Sequence, residues 1–292
     1  MVVMKGSRVT FYPGVSQGTV NVDGVEVSYY DTGDKERGGA PIVLLHGTGG
    51  SAENNFAALL PMLSFRHRVL ALDFVDDLPD SSGPLSVDHF VSQASAVIQR
   101  LSPGRPVTLV GYSLGAVAAA VVAAEQPELV GNLVLVAGWM KTDEHQKLRN
   151  SVWQQLHDSG SEALAEFMLL TAFSSRFVAT RQPGELQKLL AGIKSAPSRA
   201  RKMRLNRTVD ISSKLSGIRA RTLVIGCSDD QMAPIRHSHA LFGAINDSRF
   251  VEISSGHAVV HERPAELFTR IDNFVQGHDS EDAGAVLAPV HA

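Results

Sequence analysis

Short runs of four or five apolar residues recur along this chain, separated by stretches in which apolar side chains return every three or four positions. The runs read as strands covered on both faces, and the stretches as helices packed against them. The earliest apolar residues instead alternate with polar ones, in Thr19-Val20-Asn21-Val22 and again from Gly24 to Tyr30, about an Asp23-Gly24 turn. That pattern predicts an antiparallel hairpin over 18–32. Apolar runs at 41–45, 67–74, 107–110, 132–137, 221–225 and 249–253 predict further strands, with helices near 52–63, 87–101, 235–245 and 264–275. Another helix should follow residue 113, in the small apolar run Ala116 to Ala124, and end before Pro127.

Repeated strand–helix alternation calls for an α/β protein with a mostly parallel central sheet flanked by helices. Residues 140–215 interrupt it with helical periodicity, many charges and no clear strand. They are too many for a simple crossover and are expected to form a helical lid over the strand ends. The expected organisation is a core domain from 1–139 and 216–276, a lid over 140–215, and a polar, disordered tail over 277–292. The chain has no internal repeat.

Composition narrows the function classes. With 292 residues, 44% hydrophobic and 20% charged, the chain can bury a sizeable core. A net charge of −3 gives no reason to expect nucleic acid or a membrane surface as partner. The single cysteine, Cys227, excludes an intramolecular disulfide and fits a reducing compartment. No apolar run approaches the ~20 residues needed to span a bilayer, and residues 1–16 lack the apolar stretch of a secretory signal. The expectation is a soluble, cytoplasmic protein with a small-molecule partner; carrier-protein or homodimer contacts stay open.

The strongest chemical signal is Gly111-Tyr112-Ser113-Leu114-Gly115, placed between a predicted strand and a predicted helix. In that context the two glycines allow a sharp turn that holds a serine strained and exposed at a helix N-terminus. A serine hydroxyl is a poor nucleophile near neutral pH and needs a base to take its proton. His257, in Gly256-His257 after the last predicted strand, is the natural candidate. The imidazolium needs a carboxylate, and Ser228-Asp229-Asp230-Gln231 offers two adjacent ones. His261 reads as helix-entry structure, His237 and His239 as residues on a solvent-facing helix, and Cys227 as a small buried side chain. No metal-ligand pattern is evident, because a His257–His261 pair would need a third ligand.

In this arrangement the chain resembles the α/β-hydrolases over roughly residues 18–276. The resemblance rests on four matches in the family's order: His46-Gly47, the Gly111–Gly115 elbow, Asp229-Asp230 and Gly256-His257. It implies a Ser113, His257 and Asp230 triad, with Asp230 favoured over Asp229 because relatives with Gly-Cys at this turn carry the longer loop. Asp143 and Glu144 are the weaker alternatives, since some members place the acid after the preceding strand. It also implies an oxyanion hole from the backbone N–H groups of Thr48 and Leu114, and no metal or organic cofactor. Serine at the elbow argues against dehalogenase and epoxide hydrolase chemistry. The turn after the fourth strand, Asp73 to Ser81, departs from the family's usual Gly-x-Gly-x-Ser, so the pocket beside it should be reshaped.

Gly47, Tyr112, Trp139 and Met140 are expected at the substrate pocket, roofed by some of the lid's apolar residues from Trp153 to Phe177. The basic run Lys194, Arg199, Arg201, Lys202, Arg204 and Arg207 reads as a solvated helix face or as a dock for an anionic group. The reading is a serine hydrolase, esterase-like, acting on an ester, thioester or lactone of a medium-sized apolar metabolite. A C–C hydrolase or an acyl-eliminating or cyclising enzyme on the same triad is one alternative. A small-molecule receptor of the same fold is the other.

Overall fold

The computed structural model describes residues 12–33, 39–76, 83–193, 197–278 and 281–288. Eight strands form one sheet: β1 (Ser16–Val22), β2 (Val25–Asp31), β3 (Ile42–Leu45), β4 (Val69–Leu72), β5 (Val107–Tyr112), β6 (Val130–Val136), β7 (Arg221–Cys227) and β8 (Ser248–Ile253). Their spatial order is β1-β2-β4-β3-β5-β6-β7-β8. The hairpin pairs antiparallel, β2 joins β4 antiparallel, and every other neighbouring pair is parallel. Asp23 and Gly24 both take positive φ, 50° and 84°, the geometry that a two-residue hairpin turn requires.

Twelve helices accompany the sheet among the described residues: α1 (Ala52–Phe56), α2 (Leu59–Ser64), α3 (Val87–Leu101), α4 (Leu114–Glu125), α5 (Glu144–Asp158), α6 (Ala163–Ala172), α7 (Ser175–Ala179), α8 (Pro183–Gly192), α9 (Pro197–Leu205), α10 (Arg236–Ala244), α11 (Val259–Glu262) and α12 (Pro264–Gln276). The single helix expected near 52–63 is two. A proline ring clashes with the carbonyl four residues back, so Pro61 cannot continue a helix that runs through Ala57.

Alternation along the buried strands divides the core into two layers. Val43, Leu45, Leu70 and Leu72 face one side, with Phe90 and Val97 of α3 and nearly all of α4. Ile42, Leu44, Val69 and Ala71 face the other, with Phe56, Leu60, Leu267, Ile271 and Phe274. Helix α4 is buried all round, as a helix of Ala, Val and Leu without a polar face must be. The helices between β6 and β7 hold a separate small core of Trp153, Leu164, Ala200 and Met203.

Two expectations give way here. His237 is buried, because Asp143 at the N-terminus of α5 lies 3.2 Å from its Nε2 and covers that face of α10, whereas His239 is exposed. Residues 281–288, where the polar composition suggested disorder, run beside β8. The N–H of Phe250 donates to Ala285 O (3.0 Å), that of Leu287 to Phe250 O (2.7 Å), and that of Gly284 to Ser248 O (2.8 Å). An outermost strand leaves backbone donors and acceptors unpaired, and this segment occupies them while burying Leu287.

Candidate active site

Strand β5 runs straight into Ser113, whose backbone sits at φ 57° and ψ −120°. A non-glycine residue there is strained and persists only where its surroundings enforce it. The enforcement is steric and polar. A Cβ on Gly111 would strike the Gly115 carbonyl, and one on Gly115 would strike the carbonyl of Leu45. The Ser113 N–H donates to Val136 O on β6 at 2.9 Å. Leu114 is the first residue of α4, so its N–H is among those without an intrahelical acceptor. The opposing loop approaches closely enough that a Cβ on Gly47 would stand 3.0 Å from Ser113 Cβ.

His257 reaches Ser113 from the loop after β8. Its Nε2 lies 2.9 Å from Ser113 Oγ and its Nδ1 lies 2.7 Å from Asp230 Oδ2. Asp230 Oδ1 accepts the N–H groups of Met232 (2.7 Å) and Ala233 (2.8 Å), which complements the charge of a carboxylate that is 3% exposed. Its neighbour Asp229 faces outward, accepting the Ser228 hydroxyl at 3.1 Å. Asp143 instead caps α5 and meets Arg236, and exposed Glu144 pairs with Lys147.

Tyr112 donates its hydroxyl to the His257 carbonyl at 3.0 Å, tying the elbow to the histidine loop. Its ionisation is pushed well above the ordinary phenol range, by burial first and by the Asp230 charge second, so it stays a donor. Cys227 is buried beside the site, and its thiol is raised far above the usual range by burial and then by Asp230.

The loop expected to supply one oxyanion donor is braced from three sides. Asn55 Oδ1 accepts the Gly47 N–H at 3.0 Å, and Asn206 donates to Thr48 Oγ1 at 2.9 Å. His46 is the third brace: its Nε2 accepts the Phe74 N–H at 2.9 Å, which leaves Nδ1 as the protonated nitrogen donating to Gly47 O, also at 2.9 Å. Burial, its largest influence, lowers the pKa of His46 to about 4, consistent with this neutral tautomer.

A cavity of about 550 Å³ opens over Ser113 and His257. Gly47, Tyr112 and Trp139 line it. Met140 does not: it packs against the sheet core, and its carbonyl accepts the Ile211 N–H at 2.8 Å. The helices of 144–205 supply much of the remaining wall, including Arg149, Asn150, Trp153 and Arg199. Polar Gln146 and Asn150 fall on the buried stripe of α5 together with Trp153, and amides on a helix's inner face are the sequence signal that could have exposed this wall. The basic run divides. Arg199 lines the cavity, Lys202 is buried 3.6 Å from Asp76, Arg201 donates to the Asp76 carbonyl at 2.6 Å, and Arg204 and Arg207 are exposed. Lys194, and Asp77 to Ser81 of the reshaped turn, lie outside the described residues.

One further acid was not foreseen. Glu262 of α11 accepts the Ser174 N–H (2.8 Å) and the Gly256 N–H (3.0 Å) on Oε1, and the Ser174 hydroxyl (2.7 Å) on Oε2. Ala258 N–H also donates to Ala172 O at 2.8 Å, so the α6–α7 junction is clasped to both sides of His257. A side chain at Gly256 would collide with the Ser174 amide. Among the described residues no group of three His, Cys, Asp or Glu could hold a metal, and no helix is long and apolar enough to cross a membrane.

An eight-stranded, mostly parallel sheet with a strained serine between strand and helix defines the class of α/β-hydrolase folds. The chain belongs to the alpha/beta hydrolase family, whose model matches residues 42–270. It is 29% identical over 266 residues to pyrrolizixenacetamide deacetylase of Xenorhabdus hominickii, covering 89% of this chain and 98% of that protein. Among solved structures it is similar to an enol-lactonase from Burkholderia xenovorans, with a TM-score of 0.74 and 20% identity over 89% of this chain and all of that one. An α/β hydrolase from a Medee basin deep-sea metagenome gives a TM-score of 0.77 at 21% identity, covering 91% and 98%.

Proposed function

We propose that this hydrolase is a serine enzyme that cleaves an ester, thioester or lactone of a medium-sized metabolite through an acyl-enzyme. The observation that carries the reading is the continuous contact from Ser113 Oγ to His257 Nε2 (2.9 Å) and from His257 Nδ1 to Asp230 Oδ2 (2.7 Å), beneath the cavity.

Ser113 Oγ attacks the acyl carbonyl while His257 Nε2 takes its proton, and Asp230 fixes the imidazole tautomer and offsets the imidazolium charge. The N–H groups of Thr48 and Leu114 receive the developing oxyanion; such donors each contribute roughly 10²–10³ in rate. Protonated His257 then gives its proton to the leaving oxygen or sulfur. Water, deprotonated by the same imidazole, attacks the acyl-enzyme, and its collapse returns the proton to Ser113 and frees the carboxylic acid. The helices of 140–215 act as the lid that walls off the acyl group. A relative named as a deacetylase makes an N-acetyl group the second substrate class to test.

Treatment with a fluorophosphonate, followed by intact-protein mass spectrometry, should add one phosphonyl group to wild type and none to Ser113→Ala. The same variant should lose about 10⁴–10⁶ in kcat on a p-nitrophenyl ester while keeping its fold. Retained turnover, or saturable binding of a ligand without turnover by wild type, would move the chain out of this class.

A further inference from the structure

The cavity wall carries more positive charge than hydrolysis requires. Arg149, Lys188 and Arg199 line it, and among the described residues no Asp or Glu does. Among the described residues, neither Arg149 nor Arg199 has a carboxylate within ion-pair distance. Arg149 donates to two neutral acceptors, Asn150 Oδ1 at 2.9 Å and Thr171 Oγ1 at 3.4 Å. Arg199 donates to Gly49 O at 3.0 Å and meets Met168 Sδ at 3.4 Å. Each guanidinium has five N–H donors, so most of this capacity is unspent.

Four buried side-chain polar atoms of residues on this wall have no hydrogen-bond partner: Arg149 Nε, Trp153 Nε1, Arg199 Nε and Asn206 Oδ1. Three of the four are donors. A pocket with unpaired donors and no acid among its described lining is matched by a ligand rich in acceptors and negatively charged. Burial also drives both arginines the same way, lowering Arg149 to about 10 against the opposing attraction of the Asp230 charge, and Arg199 below its ordinary value. A half-buried guanidinium with no ion-paired carboxylate carries a desolvation cost that a bound anion offsets. Arg199 holds the carbonyl of Gly49, one residue past Thr48, and so lies beside the loop that faces Ser113.

We propose that Arg149 and Arg199 form an anion subsite within this cavity, selecting substrates that bear a free carboxylate away from the bond to be cleaved. Half-esters of dicarboxylic acids are the simplest members of that class. The planar fork of each guanidinium fits a carboxylate in two-point contact. Aromatic and thioether walls (Trp139, Met168, Phe173 and Phe177) receive the intervening carbon chain. The inference rests on the serine-hydrolase reading only for where cleavage occurs; the anion site stands on the arginines.

The test compares monomethyl adipate, an anion, with dimethyl adipate, its neutral counterpart. Wild type should favour the monoester in kcat/KM by at least about 10-fold. Arg149→Met and Arg199→Met should each cut that preference by about 10- to 100-fold, with the lysine variants falling between. In parallel, adipate should raise the Tm of Ser113→Ala, hexane-1,6-diol should not, and either Met substitution added to it should abolish the shift. Equal turnover of the two esters, a preference that survives both Met substitutions, or an absent adipate shift would overturn the subsite. A shift with hexyl phosphate but none with adipate would overturn the carboxylate assignment. Should the Met variants fail to fold, the wild-type ester ratio and the adipate shift decide alone. Hydrolysis persisting in Ser113→Ala would refute the serine reading and leave the adipate result to judge the subsite.

Discussion

Asp229 and Asp230 show how much one position means in this site. Motif order in the sequence reached the pair but chose between them only through the loop length of relatives. The fold separates them by pointing one to solvent and the other, with two backbone amides behind it, toward His257. Asp230→Asn should therefore lower kcat by about 10⁴, while Asp229→Asn stays within a few-fold of wild type; side-by-side steady-state kinetics check both. His46 carries a prediction in pH. Its folded pKa near 4 lies below the ordinary value of 6.5, so the unfolded chain binds that proton first as the solution is acidified. The contribution of neutral His46 is complete above pH 6.5 and drains away as pH falls toward 4, on the order of 3 kcal/mol in all. Denaturation midpoints of wild type and His46→Gln, followed from pH 7 to pH 4, should converge, with wild type showing the steeper loss. Parallel curves would reject the role. Arg149 was not legible because its significance lies in what fails to approach it, and a helical run rich in Lys, Arg and Glu looks solvated when read alone.

Strands and helices were the most legible layer, because periodicity and apolar runs act locally. All eight strands and the elbow fall where the alternating hairpin, the six apolar runs and the Gly-x-Ser-x-Gly motif place them. What escaped were contacts between elements distant in sequence. Glu262 is an ordinary acid in Val260-His261-Glu262-Arg263, yet it joins α11 to the α6–α7 junction and to the turn before His257. Glu262→Ala should strand three donors, each costing about 1–3 kcal/mol if it stays dry. It should lower Tm and also kcat, because the histidine loop loses its clasp, whereas Glu262→Gln should recover most of both. Thermal denaturation with kinetics on one ester checks this; an Ala variant matching wild type in both would show that the clasp is dispensable.

At the scale of the molecule, the sequence foresaw a sheet interrupted by a helical segment, and the interruption does hold its own small core around Trp153. Polar composition hid the other large feature, since Ala285 to Ala288 is only four residues long and reads as part of a charged tail. Deleting residues 279–292 should expose the backbone of β8, lower Tm and introduce concentration-dependent self-association, measured by light scattering. A monodisperse truncated protein with unchanged Tm would show that the edge needs no cover. With that flank occupied, β1 is the one outer ladder left among the described residues. Any assembly made by strand addition has a single sticky side to offer: two copies joined there consume it, and growth halts at a closed pair instead of running on into a filament.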